Sequence, residues 1–300
     1  MSVTVELPVV RAAEAAHRRG ARGGYWRGVV RRLRRDPMTV ACAVILLTIV
    51  MLAIAAPLVA PANPYKTSML NRLLAPGAPQ HLLGTDELGR DMLTRLIYGG
   101  RLSLFMGLTP VVNALLIGGA LGILAGYVGG AINTGIMRTL EVFFAFPSVL
   151  LAISLSGALG AGIGNTLLSL TIVFIAPIAR VAEAVTTQIR ALDYIEAARA
   201  SGAGALTVIR VHVLRVVLGP VFIYASSLIS VSIILASGLS FLGLGVKPPE
   251  PEWGLMLNTL RAAIYTSPVN ATLPGAMIFI TSICFNLVSD GLRAAMDVKE

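Results

Sequence analysis

Six long apolar runs decide what this chain can fold into: Met38–Ala60, Leu102–Tyr127, Ile136–Leu159, Thr166–Glu183, Val216–Ser240 and Ala271–Ser289. Each approaches the ~20 residues that an α-helix needs to cross a hydrocarbon layer. Inside lipid the backbone must satisfy its own hydrogen bonds, so runs of this length are expected as helices. The expected fold class is all-α, a polytopic membrane protein with six transmembrane helices. Composition supports lipid as the solvent: 56% of residues are hydrophobic and 13% are charged, against about 25% charged in soluble domains. A water-soluble chain with this much apolar surface would self-associate. A charge at mid-span costs about 2.5–3.5 kcal/mol, and Glu141, Arg180, Glu183 and Asp290 accordingly fall near the ends of their runs.

Lys and Arg set the orientation. With the amino terminus inside, the inner segments hold nine arginines in the tail, then Arg138, Arg180, Arg190, Arg199, Arg210, Arg215, Arg293 and Lys299. The outer segments hold Lys66, Arg72, Arg90, Arg95, Arg101, Lys247 and Arg261, which makes 17 against 7. That asymmetry places both termini in the cytoplasm. It also explains the net charge of +9: the basic tail, residues 1–37, is read as a topology signal facing membrane lipid of negative charge, not as a nucleic-acid surface. The first run exceeds the ~7–15 apolar residues of a signal peptide and is expected to stay as an anchor. Cys42 and Cys284 lie inside apolar runs far apart in sequence and are expected as inert hydrophobes. The chain then divides into the tail 1–37, a first span 38–60, an external segment 61–101, and a five-helix core 102–300 with a long cytoplasmic loop at 184–215.

Two polar segments stand out against this background. "LDYIEAARASGAGALTVIRVHVL", Leu192 to Leu214, combines a strong helix former with Gly202 and a second helical stretch. Its alanines permit close approach, and Glu196 and Arg199 sit at i, i+3; a helix docking into a groove on a partner and a solvated linker are both compatible with it. "HLLGTDELGRDMLTRLIYGG", His81 to Gly100, is external. Thr85 is expected to cap a helix with Asp86 and Glu87 in its first turn. Asp91 and Arg95 are expected to pair at i, i+4, and Leu88, Met92 and Leu96 to share a face at the membrane interface. Gly84 and Gly89 permit tight turns, and Asp86 and Arg90 can form an exposed pair of little energetic weight. Nothing fixes a metal geometry among His81, Asp86, Glu87 and Asp91. Within the spans, Gly118, Gly122, Gly126 and Gly130 recur every four residues, as a ridge for close helix packing would. Ser226, Ser230 and Ser237 share one helical side and either line a wet path or bond their own helix. No catalytic constellation and no phosphate-binding G-x-x-x-x-G-K-[ST] occurs, and the chain has three lysines, Lys66, Lys247 and Lys299.

These segments also carry a resemblance. Glu196-Ala197-Ala198 followed by Gly202 resembles the "EAA…G" motif of the permease subunits of ATP-binding cassette importers. His212 and Leu214 match the family's "H-x-L-P" ending, while Arg215 replaces its proline. "GTDELGRD", Gly84 to Asp91, resembles the G-T-D-x-x-G-R-D motif of dipeptide, oligopeptide and nickel permeases. "LSFLGLGVKPPEPEWGLML", "FNLVSDGLRAAMD" and "RRDPMTVACAVILLTIV" are similar to the "C" permease subunit of those systems. The resemblance implies the type I importer permease fold. It implies import of dipeptides or oligopeptides across the bacterial inner membrane, or of nickel or another small solute by the same architecture. It implies as partners a homologous second permease, two ATPase subunits that bind ATP and Mg, and an extracytoplasmic substrate-binding protein, with no cofactor in this chain. It assigns Glu196, Ala197, Ala198, Arg199, Gly202 and His212 to ATPase coupling. Gly84, Thr85, Asp86, Gly89, Arg90 and Asp91 would then form a cap over the external entrance.

Overall fold

In the computed structural model, which describes residues 24–296, every long apolar run is helical. The first 23 residues of the basic tail and Lys299 lie outside the described residues. A basic helix α1 (Gly24–Arg35) leads into α2 (Pro37–Ile54), where Asp36 caps the new helix by accepting from Met38 N. Pro37 at the first helical position loses nothing, because its missing N–H would have had no partner there. The second run belongs to α3 (Met92–Val128), 37 residues and about 55 Å long at 1.5 Å per residue. It begins ten residues before the apolar run does. The fourth run extends at both ends into α6 (Ile163–Arg190). A short cytoplasmic helix α7 (Asp193–Ala200) precedes α8 (Ala205–Phe241), whose residues Ile209–Val213 form a π-helical turn. After a loop come α9 (Trp253–Leu260) and α10 (Pro268–Met296).

The third run departs from expectation. It is two helices, α4 (Gly130–Phe144) and α5 (Ser148–Leu159), bent by 89°. Pro147 causes the break: it has no N–H to continue the ladder and pushes Phe146 out of helical conformation. Among the described residues, five helices are therefore long and apolar enough to span, and the bent pair makes a sixth if it counts as one crossing. The contacts of its two ends place them at opposite ends of α6. Gly129, just before α4, lies against the Arg190 guanidinium at the end of α6. Gly162, just after α5, donates to Leu244 O beyond the opposite end of α8, at 3.1 Å. The start of α2 shares the first of these faces, with Thr39 against Gly291 near the end of α10. Arg101 donates to Ile54 O at the other face. By the Lys/Arg asymmetry, the face with Gly129, Arg190 and Thr39 is cytoplasmic.

Packing at the centre follows from the glycine ridge. A Cβ at Gly118 would lie 2.6 Å from Ile175 O, one at Gly122 2.7 Å from Ala182 Cβ, and one at Gly126 2.7 Å from Glu183 O. The α3 backbone thus rests directly on α6, where dispersion between closely approached backbones replaces the hydrophobic force that lipid does not supply. Gly130 takes no part in the ridge; it begins α4 with no atom near its missing Cβ. Met106, Ala114, Leu170, Phe174, Ile178 and Val221 fill the core around this pair.

The assigned faces predict a labelling pattern. With Cys42 and Cys284 replaced by alanine, Ala205→Cys should react only with reagents that enter the cytoplasm. Lys66→Cys should react with an impermeant maleimide on intact spheroplasts. Both residues are exposed, and the reverse pattern would invert the topology.

Candidate functional site

The external motif folds as a compact cap of turns, not as an interfacial helix. Thr85 is not a helix cap. Its hydroxyl donates to Asn71 O and accepts from Leu74 N, and residues 85 and 91 form an isolated antiparallel bridge. The helix begins at Met92, capped by Asp91, which accepts from Thr94 N at 2.8 Å. Glycine is obligatory at positions 84 and 89: both have positive φ, and a Cβ would overlap Leu74 O and Ser68 O respectively.

Charge is concentrated inside the cap. Asp86 is 1% exposed and Arg90 3%. Arg90 Nε donates to Asp86 Oδ2 at 2.6 Å, Arg90 Nη2 to Glu87 Oε1 at 2.8 Å, and Arg90 N to Asp86 Oδ1 at 2.9 Å. The expected Asp86–Arg90 pair forms, but it is buried and not exposed. The expected Asp91–Arg95 pair does not form. Asp91 Oδ1 meets His81 Nδ1 at 2.9 Å, while buried Arg95 donates to Pro64 O at 3.0 Å and brings Nε to 3.2 Å from Asp86, close but not aligned as a hydrogen bond. Met92 and Leu96 are buried with Trp253, Met256 and Leu260 and do not face lipid; Leu88 alone of the three stays part-exposed.

Three residues that the sequence reading passed over hold this cap on the helices. Asn270 on α10 donates to Leu74 O and Thr85 O, both at 2.8 Å. Glu252 accepts from Gly254 N and Leu255 N, capping α9, and from the Ser103 hydroxyl of α3. Burial pushes the Glu252 carboxyl above its ordinary range, against the pull of those donors. Trp253 donates from Nε1 to Leu96 O at 3.0 Å and lies in a slot made by Gly99 and Gly100. The Gly-Gly pair and the tryptophan were the available signals, but nothing in the sequence matches one to the other.

On the cytoplasmic face, α7 ends in a Schellman turn. Gly202 takes φ 83° and Ala203 N donates to Ala198 O at 3.1 Å. Ile195 is fully buried and Ala198 packs against the core, so the outward face of α7 is Glu196, Ala197 and Ala200. No ion pair joins Glu196 to Arg199 among the described residues; Arg199 lies over the Tyr127 ring at 4.8 Å. His212 is half-buried against Tyr194, with ring centroids 6.0 Å apart, and braces α7 from within. Arg215, where the family has proline, continues α8 without interruption. On α8, the Ser226 and Ser230 hydroxyls donate to Ile223 O and Ser227 O of their own helix, and Ser237 is buried against Gly254.

With this geometry in place, similarity to known proteins narrows the class. Residues 118–299 match the family of binding-protein-dependent transport system inner membrane components. Residues 24–76 match the N-terminal TM domain of oligopeptide transport permease C. A glutathione transport system permease of Pectobacterium atrosepticum is 39% identical over 91% of this chain and 91% of its own. A dipeptide transport system permease of Alkalihalophilus pseudofirmus is 37% identical over 91% and 90%. A di/tripeptide transport system permease of Pseudomonas aeruginosa is 39% identical over 95% and 89%. Among solved structures, an inward-facing MetNI methionine ABC transporter chain superposes with TM-score 0.55 at 18% identity, covering 68% of this chain and 97% of that one, which bears on the fold alone.

Proposed function

The chain belongs to the binding-protein-dependent transport system inner membrane components, and on that premise we propose that it is one permease subunit of an ATP-driven importer of short peptides. The observation that carries the reading is that dipeptide, di/tripeptide and glutathione permeases all match it along nearly its whole length. Its partners are a homologous second permease, two ATPase subunits that hold ATP and Mg, and an extracytoplasmic binding protein. The exposed face of α7 is where the ATPase pushes. A rigid short helix anchored by Ile195 and closed by Gly202 passes that force to α6 and α8, and differential contacts in the two states then set which way the path opens. Gly84 to Asp91 shape the external mouth where the binding protein delivers cargo. The serines of α8 are secondary to this reading, because Ser226 and Ser230 spend their hydroxyls on their own helix.

Cells carrying the full set of subunits should accumulate labelled dipeptide, and deletion of this subunit should abolish accumulation. Uptake of nickel in its place would replace the peptide reading. Within that system Ala197→Trp adds bulk to an exposed position and leaves the fold intact. It should lower uptake by about tenfold or more, a ~1.4 kcal/mol defect at least, at unchanged membrane abundance. Normal uptake by this variant would remove α7 from the coupling role.

A further inference from the structure

We propose that the bend between α4 and α5 builds a subsite for an apolar side chain of the peptide in transit, with Arg180 at its rim for the peptide carboxylate. This rests on the peptide reading above. The 89° bend opens a cleft of about 300 Å³ against α6 and α8, at the small end of the ~300–1,000 Å³ usual for small-molecule sites. Phe143, Phe146, Leu151, Phe174, Tyr224 and Leu228 line it, and Ser148 opens α5 at its edge. Such walls suit an aromatic or branched side chain.

The rim says what faces this cleft. The Arg180 guanidinium lies 4.8 Å over the Phe144 ring, beside the cleft, and Arg180 is exposed about 15 Å before the cytoplasmic end of α6. Glu141, one turn before Phe144, is exposed as well and touches Arg138 at 3.2 Å. Glu183 differs, being tied to Asn133 at 2.7 Å and Thr187 at 3.1 Å. Ionisable side chains on spanning helices tend to face a bundle interior or a water-filled cavity, and in this proposal Arg180 fronts one. A short peptide carries the complement: a carboxylate for Arg180 and a side chain for the aromatic cleft. A cation stacked on an aromatic face offers a carboxylate its charge without a tight clamp, which suits a site that must release its cargo.

The complete transporter can be tested with Ala-Ala, Ala-Leu and Ala-Phe and with the carboxyl-amidated form of Ala-Phe. Ser148→Trp fills the cleft from an exposed position. It should lower Ala-Phe uptake about tenfold, the discrimination that an apolar pocket gives for a few carbons, while Ala-Ala uptake changes less than about twofold. Arg180→Gln should lower uptake of the free peptides and leave the amidated one unaffected. Equal loss of all peptides with Ser148→Trp would make the cleft a contact with the second permease and overturn the subsite alone, as would no change for any peptide. No uptake of any peptide by the unaltered transporter would overturn the peptide reading together with the subsite.

Discussion

Gly122→Val should leave almost no folded subunit in the membrane. A Cβ at position 122 overlaps Ala179 O and would stand 2.7 Å from Ala182 Cβ and 2.9 Å from Glu183 N. Two of these are backbone atoms of a regular helix and cannot step aside, so relief requires α3 and α6 to separate. Overpacking against movable side chains typically costs about 1–3 kcal/mol; here the whole helix pair that organises the core opens. Gly119 is the control on the same helix, because nothing lies within 4 Å of its missing Cβ. Gly119→Ala should be neutral or gain up to about 1 kcal/mol of helix propensity. Quantitative immunoblotting of membranes and thermal stability in detergent read both variants. Accumulation of Gly122→Val at the level of Gly119→Ala would show that the ridge does not carry the packing.

Arg90→Ala is the second large effect, and its size exceeds the ~0–1 kcal/mol that an exposed ion pair would give. Removing one partner of a buried pair leaves the other charge uncompensated, at a cost of about 3–5 kcal/mol. Asp86 Oδ2 would lose Arg90 Nε and Glu87 Oε1 would lose Arg90 Nη2. Asp86 keeps the Leu88 and Arg90 backbone N–H donors and Arg95 Nε at 3.2 Å, which holds the loss to the low end of that range. Arg90→Lys should recover only part of the loss, because an ammonium cannot reproduce that forked geometry. Melting temperature in detergent should fall for Arg90→Ala, and only slightly for Leu88→Ala on the part-exposed side of the same motif. Wild-type melting of Arg90→Ala would refute the buried assignment. A consequence follows for reading transport: lost uptake in this variant reports damage to the cap, not a role for Arg90 in guiding cargo.

The spans were legible because they depend on local composition: an apolar run of about 20 residues reads as a helix wherever it packs. The glycine ridge was legible for the same reason, since a repeat of four puts Gly118, Gly122 and Gly126 on one helical face whatever that face meets. The Schellman glycine of α7 could be suspected from its place after a helix former. The external cap was misread at the point where local rules compete. Thr85, Asp86 and Glu87 satisfy every short-range requirement of a helix start, yet Asn71, Leu74 and Asn270 offer Thr85 better partners from elsewhere in the chain.

What the sequence by itself determined, then, was where the long apolar helices lie and which helix face is smooth enough for close packing. Only the tertiary structure decided that α3 rests on α6, that the third crossing bends at Pro147 to open a cleft, and that Asp86 and Arg90 are buried. The physical reason is range. Hydrophobic periodicity and charge balance are sums over neighbouring residues, whereas the meeting of Trp253 with Gly99 and Gly100, or of Asn270 with Thr85, joins residues more than 150 positions apart. Such pairs are selected by whole-helix packing, and no local pattern records them.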